Sequence, residues 1–299
     1  MKPSVLAAIF SISVLLAVFL HGCARPPLRQ PESVSEQVSV TTTESEAPVP
    51  ATEAPTEPTE PTTVRNVDRS AESVYLAHPN LTPVDYDSPA LLPECDDLGT
   101  EYIDRITFLV DSPMYWLGPF ELLSGGADTT QVWTGPTHTM TLAYLRDFDI
   151  LDPFDGQLRT IPETTALRKP DIMVITVGIN GVAFMDEDWF KEEYIHLIDE
   201  IRAASPETTI LLQSILPITP DYWSWGDITN DTITEANRWM LEICEQEGIH
   251  YLDAFSALIG EDGNAIAELM QSDGLHPNEE GLAKVLMYIR THGYLPEKD

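Results

Sequence analysis

Ser112, Asp273 and His276 are of the residue types, and in the positions, that acyl transfer needs. Ser112 follows the apolar run Ile106-Thr107-Phe108-Leu109-Val110, with only Asp111 between. Asp273 and His276 stand three residues apart in Asp273-Gly274-Leu275-His276-Pro277. At that spacing a carboxylate can reach histidine Nδ1 and fix the tautomer, leaving Nε2 to take a proton from a serine hydroxyl. The hydroxyl is a weak nucleophile without such a base. In the reaction this set could perform, Ser112 attacks an ester carbonyl, His276 acts as base and then as acid, and Asp273 stabilises the imidazolium. Asp111 is read as a brace for the Ser112 turn rather than as an acid.

Five apolar runs must position these groups: Ile106 to Val110, Gln131 to Thr134, Asp171 to Val177, Thr209 to Leu216 and His250 to Phe255. Runs apolar on both faces suit central parallel strands. Helical spacing separates them. Phe190, Tyr194, Leu197, Ile198 and Ile201 share one face before Ser205-Pro206, and Ile233, Ala236, Trp239, Met240 and Ile243 share another before Gly248. Pro277 opens a last helix with Leu282, Val285, Leu286 and Ile289 inward. Strand and helix in alternation predict an α/β fold: a doubly wound, flavodoxin-like, five-stranded parallel sheet in three α/β/α layers. Sites on such sheets lie at the carboxyl ends of the strands. Ser112 and the amide of Asn180, in Gly178-Ile179-Asn180, fall at that rim.

With these blocks in this order, the chain resembles the SGNH/GDSL hydrolases over about residues 100 to 295. Asp111-Ser112 matches the first block, Gly178 and Asn180 the third, and Asp273 with His276 the last. The second block is least distinct; Gly135 stands where the oxyanion glycine is expected, with Gly125 and Gly126 as weaker candidates. The resemblance implies an oxyanion hole built from the Ser112 and Gly135 backbone N–H groups and the Asn180 amide. It implies neither a metal nor an organic cofactor. Three positions depart from the pattern: Val110 and Trp116 replace glycines, and Gly181 replaces the aspartate after the asparagine. Trp116 either narrows the acyl side of the pocket or packs into the core behind the Ser112 turn.

Other candidates are weaker. His138 and His250 lack companion ligands at metal-binding spacing and read as ordinary histidines. The segment Pro217-Ile218-Thr219-Pro220-Asp221-Tyr222-Trp223-Ser224-Trp225 follows the fourth strand, so Trp223 and Trp225 overhang the Ser112 rim. With Tyr115, Trp116 and Trp133 they could form a platform on which a sugar stacks, or they could simply pack onto the domain.

The chain's beginning predicts where it works. Lys2 precedes an apolar run from Val5 to Leu20, short for a membrane span and suited to a signal peptide. Leu20-His21-Gly22-Cys23 resembles a bacterial lipobox, which implies cleavage before Cys23 and its acylation. Residues 1–22 are thus expected to be a lipoprotein signal peptide. Residues 23–65, rich in Pro, Thr and Glu, are expected to be a disordered stalk. Residues 66–100 are expected to pack as an extension on a hydrolase domain of residues 101–299. The formal charge of −33 disfavours nucleic acid and anionic lipid as partners. Membrane contact is expected only through the lipid anchor, on the extracytoplasmic side. Cys95 and Cys244 could pair or stay free in that compartment. These features together predict a tethered serine esterase acting on an acylated small molecule or polysaccharide. Acetyl is the favoured acyl group. An inactive relative that binds glycan or a partner is the alternative, and a solute-binding lipoprotein is a third reading.

Overall fold

The computed structural model describes residues 65–223 and 228–294. The expected signal peptide, Cys23, the stalk up to residue 64 and Trp225 lie outside the described residues.

Five parallel strands form the sheet: β1 (Ile106–Val110), β2 (Val132–Trp133), β5 (Ile172–Thr176), β6 (Thr209–Gln213) and β7 (His250–Leu252). Their spatial order is β2-β1-β5-β6-β7. Counting only these five in chain order, this is the 2-1-3-4-5 arrangement of the flavodoxin-like doubly wound fold. β3 (Asp149–Leu151) and β4 (Leu158–Thr160) form a separate antiparallel hairpin. No sequence reading anticipated it, because only Ile150 of β3 is buried. The hairpin joins the β2 end of the sheet, where Leu151 N–H donates to Thr134 C=O at 3.0 Å.

Side chains of successive strand residues point to opposite faces, and here each face has its own core. Leu109, Met173, Ile175, Ile210 and Leu212 face α4 (Ile161–Arg168), α5 (Glu187–Ala204) and α6 (Asn230–Glu247). Ile106, Phe108, Val110, Ile172, Val174 and Leu211 face α2 (Gly99–Ile103) and α7 (Glu279–Thr291). The result is three layers with both sheet faces covered, as a parallel sheet requires. The helix limits have local causes. Asp186 caps α5 through the Trp189 N–H, Thr229 caps α6 through the Thr232 N–H, and Gly248 ends α6 at φ 61°. Asn278 caps α7 through the Gly281 N–H.

Residues before α2, which include the short helix α1 (Glu72–Ala77), pack on the β7 edge. Tyr251 N–H donates to Ala90 C=O at 2.8 Å, and Leu92 N–H to Tyr251 C=O at 2.9 Å. This backbone covers a sheet edge that would otherwise expose unpaired groups. Cys95 is exposed and Cys244 is buried, and both are free thiols.

Candidate active site

Ser112 is the first residue of α3 (Ser112–Tyr115), immediately beyond the carboxyl end of β1, and is half-buried. Asp111, at the N-cap position, is buried and receives the Gly178 N–H on Oδ2 at 3.1 Å. Its own N–H donates to Thr176 C=O at 3.3 Å. Asp111 therefore braces the site between two strand ends, β1 and β5, rather than within the Ser112 turn alone. Burial pushes its carboxyl up to about 7, against the opposing pull of the Gly178, Ile179 and Asp111 N–H groups.

Val110, where a glycine was expected, ends β1 as an ordinary extended residue paired with Thr176. Among the described residues the only non-glycine positions with positive φ are Glu121, His138 and Lys169, so Val110 imposes no left-handed strain. Gly178 does need its residue type. Its φ is 147°, and a Cβ there would approach Ile215 Cδ1 at 3.0 Å and Phe190 Cζ at 3.2 Å. Gly181 follows in a tight turn, with its N–H on Gly178 C=O at 2.7 Å. A Cβ there would meet Met185 Sδ at 2.7 Å, so the methionine occupies space that the family's aspartate would need.

His276 and Asp273 pair as expected: Nδ1 and Oδ2 are 2.7 Å apart. Asp273 Oδ1 also accepts the Leu275 and His276 backbone N–H groups, at 2.9 and 3.0 Å. Burial works to raise the Asp273 carboxyl. The His276 N–H, the His276 ring and the Leu275 N–H outweigh it and hold the group below the usual carboxylate range. His276 Nε2 is buried and has no hydrogen-bond partner. The Ser112–His276 hydrogen bond is thus not made in this structure, and such bonds often tighten only with substrate bound. The two residues belong to one locality nonetheless. The Trp116 ring, four positions beyond Ser112, meets the His276 ring edge-on with centroids 6.5 Å apart.

Gly135 follows β2 at the same rim, whereas Gly125 and Gly126 precede β2 and so lie toward the opposite end of the sheet. A Cβ on Gly135 would come within 2.6 Å of Phe148 Cε1 and Thr139 C=O, so only glycine fits. Asn180 Nδ2 donates to Thr139 Oγ1 at 3.0 Å and to Met140 C=O at 2.8 Å. Both amide hydrogens are engaged, so any further acceptor must share or displace one of them. Thr139 has no motif around it, and sequence reasoning missed it. Tyr194, also missed, sends its hydroxyl to Val177 C=O and supports the β5 exit from beneath.

The aromatic residues divide. Trp133 is 1% exposed, with Nε1 donating to Thr130 C=O at 3.2 Å. It is a core residue and offers no face to substrate, because its place in β2 turns the ring into the interior. Tyr115 is half-buried and stacks on His138 with centroids 4.1 Å apart. These two rings line a cleft of about 560 Å³ with Gly118, Thr134 and Leu151. Trp116 stacks on Phe120, packs on the core beneath and meets the His276 ring. Trp223 is 72% exposed. Its loop is fastened to the histidine loop by Thr219 N–H on Gly274 C=O at 2.9 Å. Tyr222, in the same loop, has its phenol raised by burial and by the Asp273 charge. His250 is half-buried against Tyr294.

A family model described as the GDSL-like Lipase/Acylhydrolase family matches residues 127–284, just over half the chain. The match begins after Ser112 and includes Gly135, Asn180, Asp273 and His276. The chain therefore belongs to the GDSL-like lipase/acylhydrolase family, a class of carboxylic ester hydrolases. It is similar to a multidomain esterase of Ruminococcus flavefaciens, 27% identical over 155 residues. That match covers 48% of this chain and 19% of the relative, so the chain spans only a small part of that protein's length. Among solved structures it is similar to a carbohydrate esterase family 3 protein from Talaromyces cellulolyticus, with 18% identity and a TM-score of 0.40. That match covers 62% of this chain and 93% of the other. It is also similar to a GDSL-like lipase from Bacteroides thetaiotaomicron, at 16% identity and a TM-score of 0.41. There the coverage is 73% of this chain and 94% of that one.

Proposed function

We propose that this chain is a serine esterase that removes small acyl groups, acetyl foremost, from a carbohydrate outside the cytoplasmic membrane. Ser112 is its nucleophile, His276 its general base and acid, and Asp273 the group that fixes the imidazole. The observation that carries this reading is the state of His276. Nδ1 is held by Asp273 at 2.7 Å, while Nε2 is buried, unpartnered and on the ring that faces the turn beginning at Ser112. A neutral imidazole so held presents Nε2 as an acceptor, which is what a serine hydroxyl needs.

Attack on the ester carbonyl puts negative charge on its oxygen. The Ser112 N–H, the Gly135 N–H and the Asn180 amide stabilise that charge, each well-placed donor contributing about 3 kcal/mol. His276 then protonates the leaving alcohol and activates water to release the acid. The acetyl preference rests on the bulk of Trp116 beside His276. The carbohydrate preference rests on exposed Trp223 and on the Tyr115–His138 cleft. Anchoring through Cys23 rests on the lipobox-like Leu20-His21-Gly22-Cys23 alone. It is tested by membrane fractionation of Cys23→Ser, where unchanged partition counts against it.

The test of function is hydrolysis of acetyl, butyryl and octanoyl nitrophenyl esters beside acetylated polysaccharides. Acetyl substrates are expected to turn over fastest. Absence of turnover on every ester contradicts the reading and favours an inactive binding protein.

A further inference from the structure

Asp68, Glu94 and His292 come together far from the candidate active site. One ligand atom from each lies within 4.8 Å of the others. The thirteen residues of α7 separate His292 from the Asp273-His276 loop, roughly 20 Å at about 1.5 Å per residue.

His292 carries the argument. It is 4% exposed, and its ring stacks on Tyr288 with centroids 3.8 Å apart. Nδ1 lies 3.0 Å from the Tyr288 C=O, an acceptor only, so Nδ1 carries a hydrogen and, in the neutral ring, Nε2 carries the lone pair. Metal-bound histidines characteristically donate their second ring N–H to a carbonyl or carboxylate in this way. Nε2 is buried and unpartnered. Its distance to Asp68 Oδ2 is 4.0 Å, too long for a hydrogen bond. A buried lone pair facing a carboxylate at that distance is unfavourable unless a metal ion, or a proton on the ring, lies between them. Glu94 is positioned independently. Its N–H donates to Asn66 C=O at 2.8 Å, and the Asn66 side-chain amide bonds its carboxylate.

From this arrangement we infer that Asp68, Glu94 and His292 bind one divalent transition-metal ion, of which Zn²⁺ is the best match. One imidazole nitrogen with two carboxylate oxygens suits Zn²⁺, whereas Ca²⁺ and Mg²⁺ take sets built of oxygen alone. Bonds of about 2.0–2.2 Å place adjacent tetrahedral ligands about 3.5 Å apart, so the cluster must contract by roughly 1 Å. Glu94, which is exposed, supplies part of this by exchanging its Asn66 bond for the ion. The Asp68 carboxylate supplies the rest by closing its 4.0 Å gap to His292. Two carboxylates and a neutral histidine balance the ion's charge, and water completes the shell. The ion's role is structural: it clamps the segments around Asp68 and Glu94 to the end of α7.

The test uses the full chain without an affinity tag, stripped with chelator and titrated with ZnCl₂ by calorimetry, with metal content measured by mass spectrometry. The expected result is one Zn²⁺ per chain and a melting temperature raised by about 5 °C at saturation. Glu94→Gln removes an exposed ligand without disturbing the core and is expected to weaken binding at least tenfold. His292→Gln is expected to do the same. Failure of the wild type to take up one Zn²⁺, or wild-type affinity in Glu94→Gln, overturns the site. Stabilisation by CaCl₂ and not by ZnCl₂ overturns the assignment of the ion.

Discussion

One buried carboxyl ties the end of the strand before Ser112 to the turn that carries Asn180: Asp111 Oδ2 accepts the Gly178 N–H at 3.1 Å. In the folded chain burial raises this group from its ordinary 3.8 to about 7. The folded state thus holds a proton that the unfolded state has already released above pH 4. The stabilisation this proton gives is complete below about pH 4 and is lost as the pH rises through 7. Asp253, raised to about 7 chiefly by burial, acts in the same direction. These two carboxyls should therefore lower the melting temperature between pH 5 and pH 8, opposed below about 6.5 by the imidazoles of His250 and His292, which burial holds below their ordinary value. Asp111→Asn keeps an oxygen for the Gly178 N–H but does not titrate. Thermal melts across that range should show its decline reduced by roughly half, since one of two similar carboxyls has been removed. An unchanged slope would show that Asp111 does not titrate there.

Asn180 faces competing demands, because both of its amide hydrogens are held by Thr139 and Met140. Asn180→Ala should lower kcat on acetyl esters by roughly 10²–10³-fold with little change in KM, as expected for a donor acting in the transition state. A loss confined to KM would assign Asn180 to ground-state binding. An effect below tenfold would assign it to holding the Thr139-Met140 segment.

Trp116 packs on Phe120 and on the core while its ring meets His276. Trp116→Gly should therefore do two things. Being half-buried, the ring should cost about 2 kcal/mol of stability when removed, roughly half the loss for a fully buried aromatic. Butyryl and octanoyl esters should gain relative to acetyl by about 1 kcal/mol or more per methylene newly accommodated. Melting curves and rates on the three esters measure both. A stability loss with an unchanged chain-length profile would leave Trp116 as packing alone.

Much of the fold was legible because its strands are apolar on both faces, and a buried parallel strand writes that plainly into sequence. Residues 106–110 and 209–213 fall within their expected runs, and the Asp273–His276 contact follows from a three-residue spacing in one loop. What could not be read depended on register or on distant partners. Trp133 was placed on the rim because nothing local tells which side of a two-residue strand its ring takes. The β3–β4 hairpin has too few buried residues to make a pattern. Asp68, Glu94 and His292 lie too far apart in the chain for any spacing rule, and only the fold brings them together. Thr139 is invisible for the same reason: its importance lies in a bond to Asn180, 41 residues on.

The central claim is that Ser112 is made nucleophilic by His276 held on Asp273. The most direct measurement is covalent labelling of the full chain with a fluorophosphonate, followed by peptide mapping. One adduct per chain, on the peptide containing Ser112, is the expected result. Ser112→Ala should abolish it. Asp273→Asn, whose amide can donate to Nδ1 and so favour the wrong tautomer, should slow it by roughly 10³–10⁴-fold. Labelling that persists in Ser112→Ala, or a wild-type chain that never labels although it is folded, would contradict the claim.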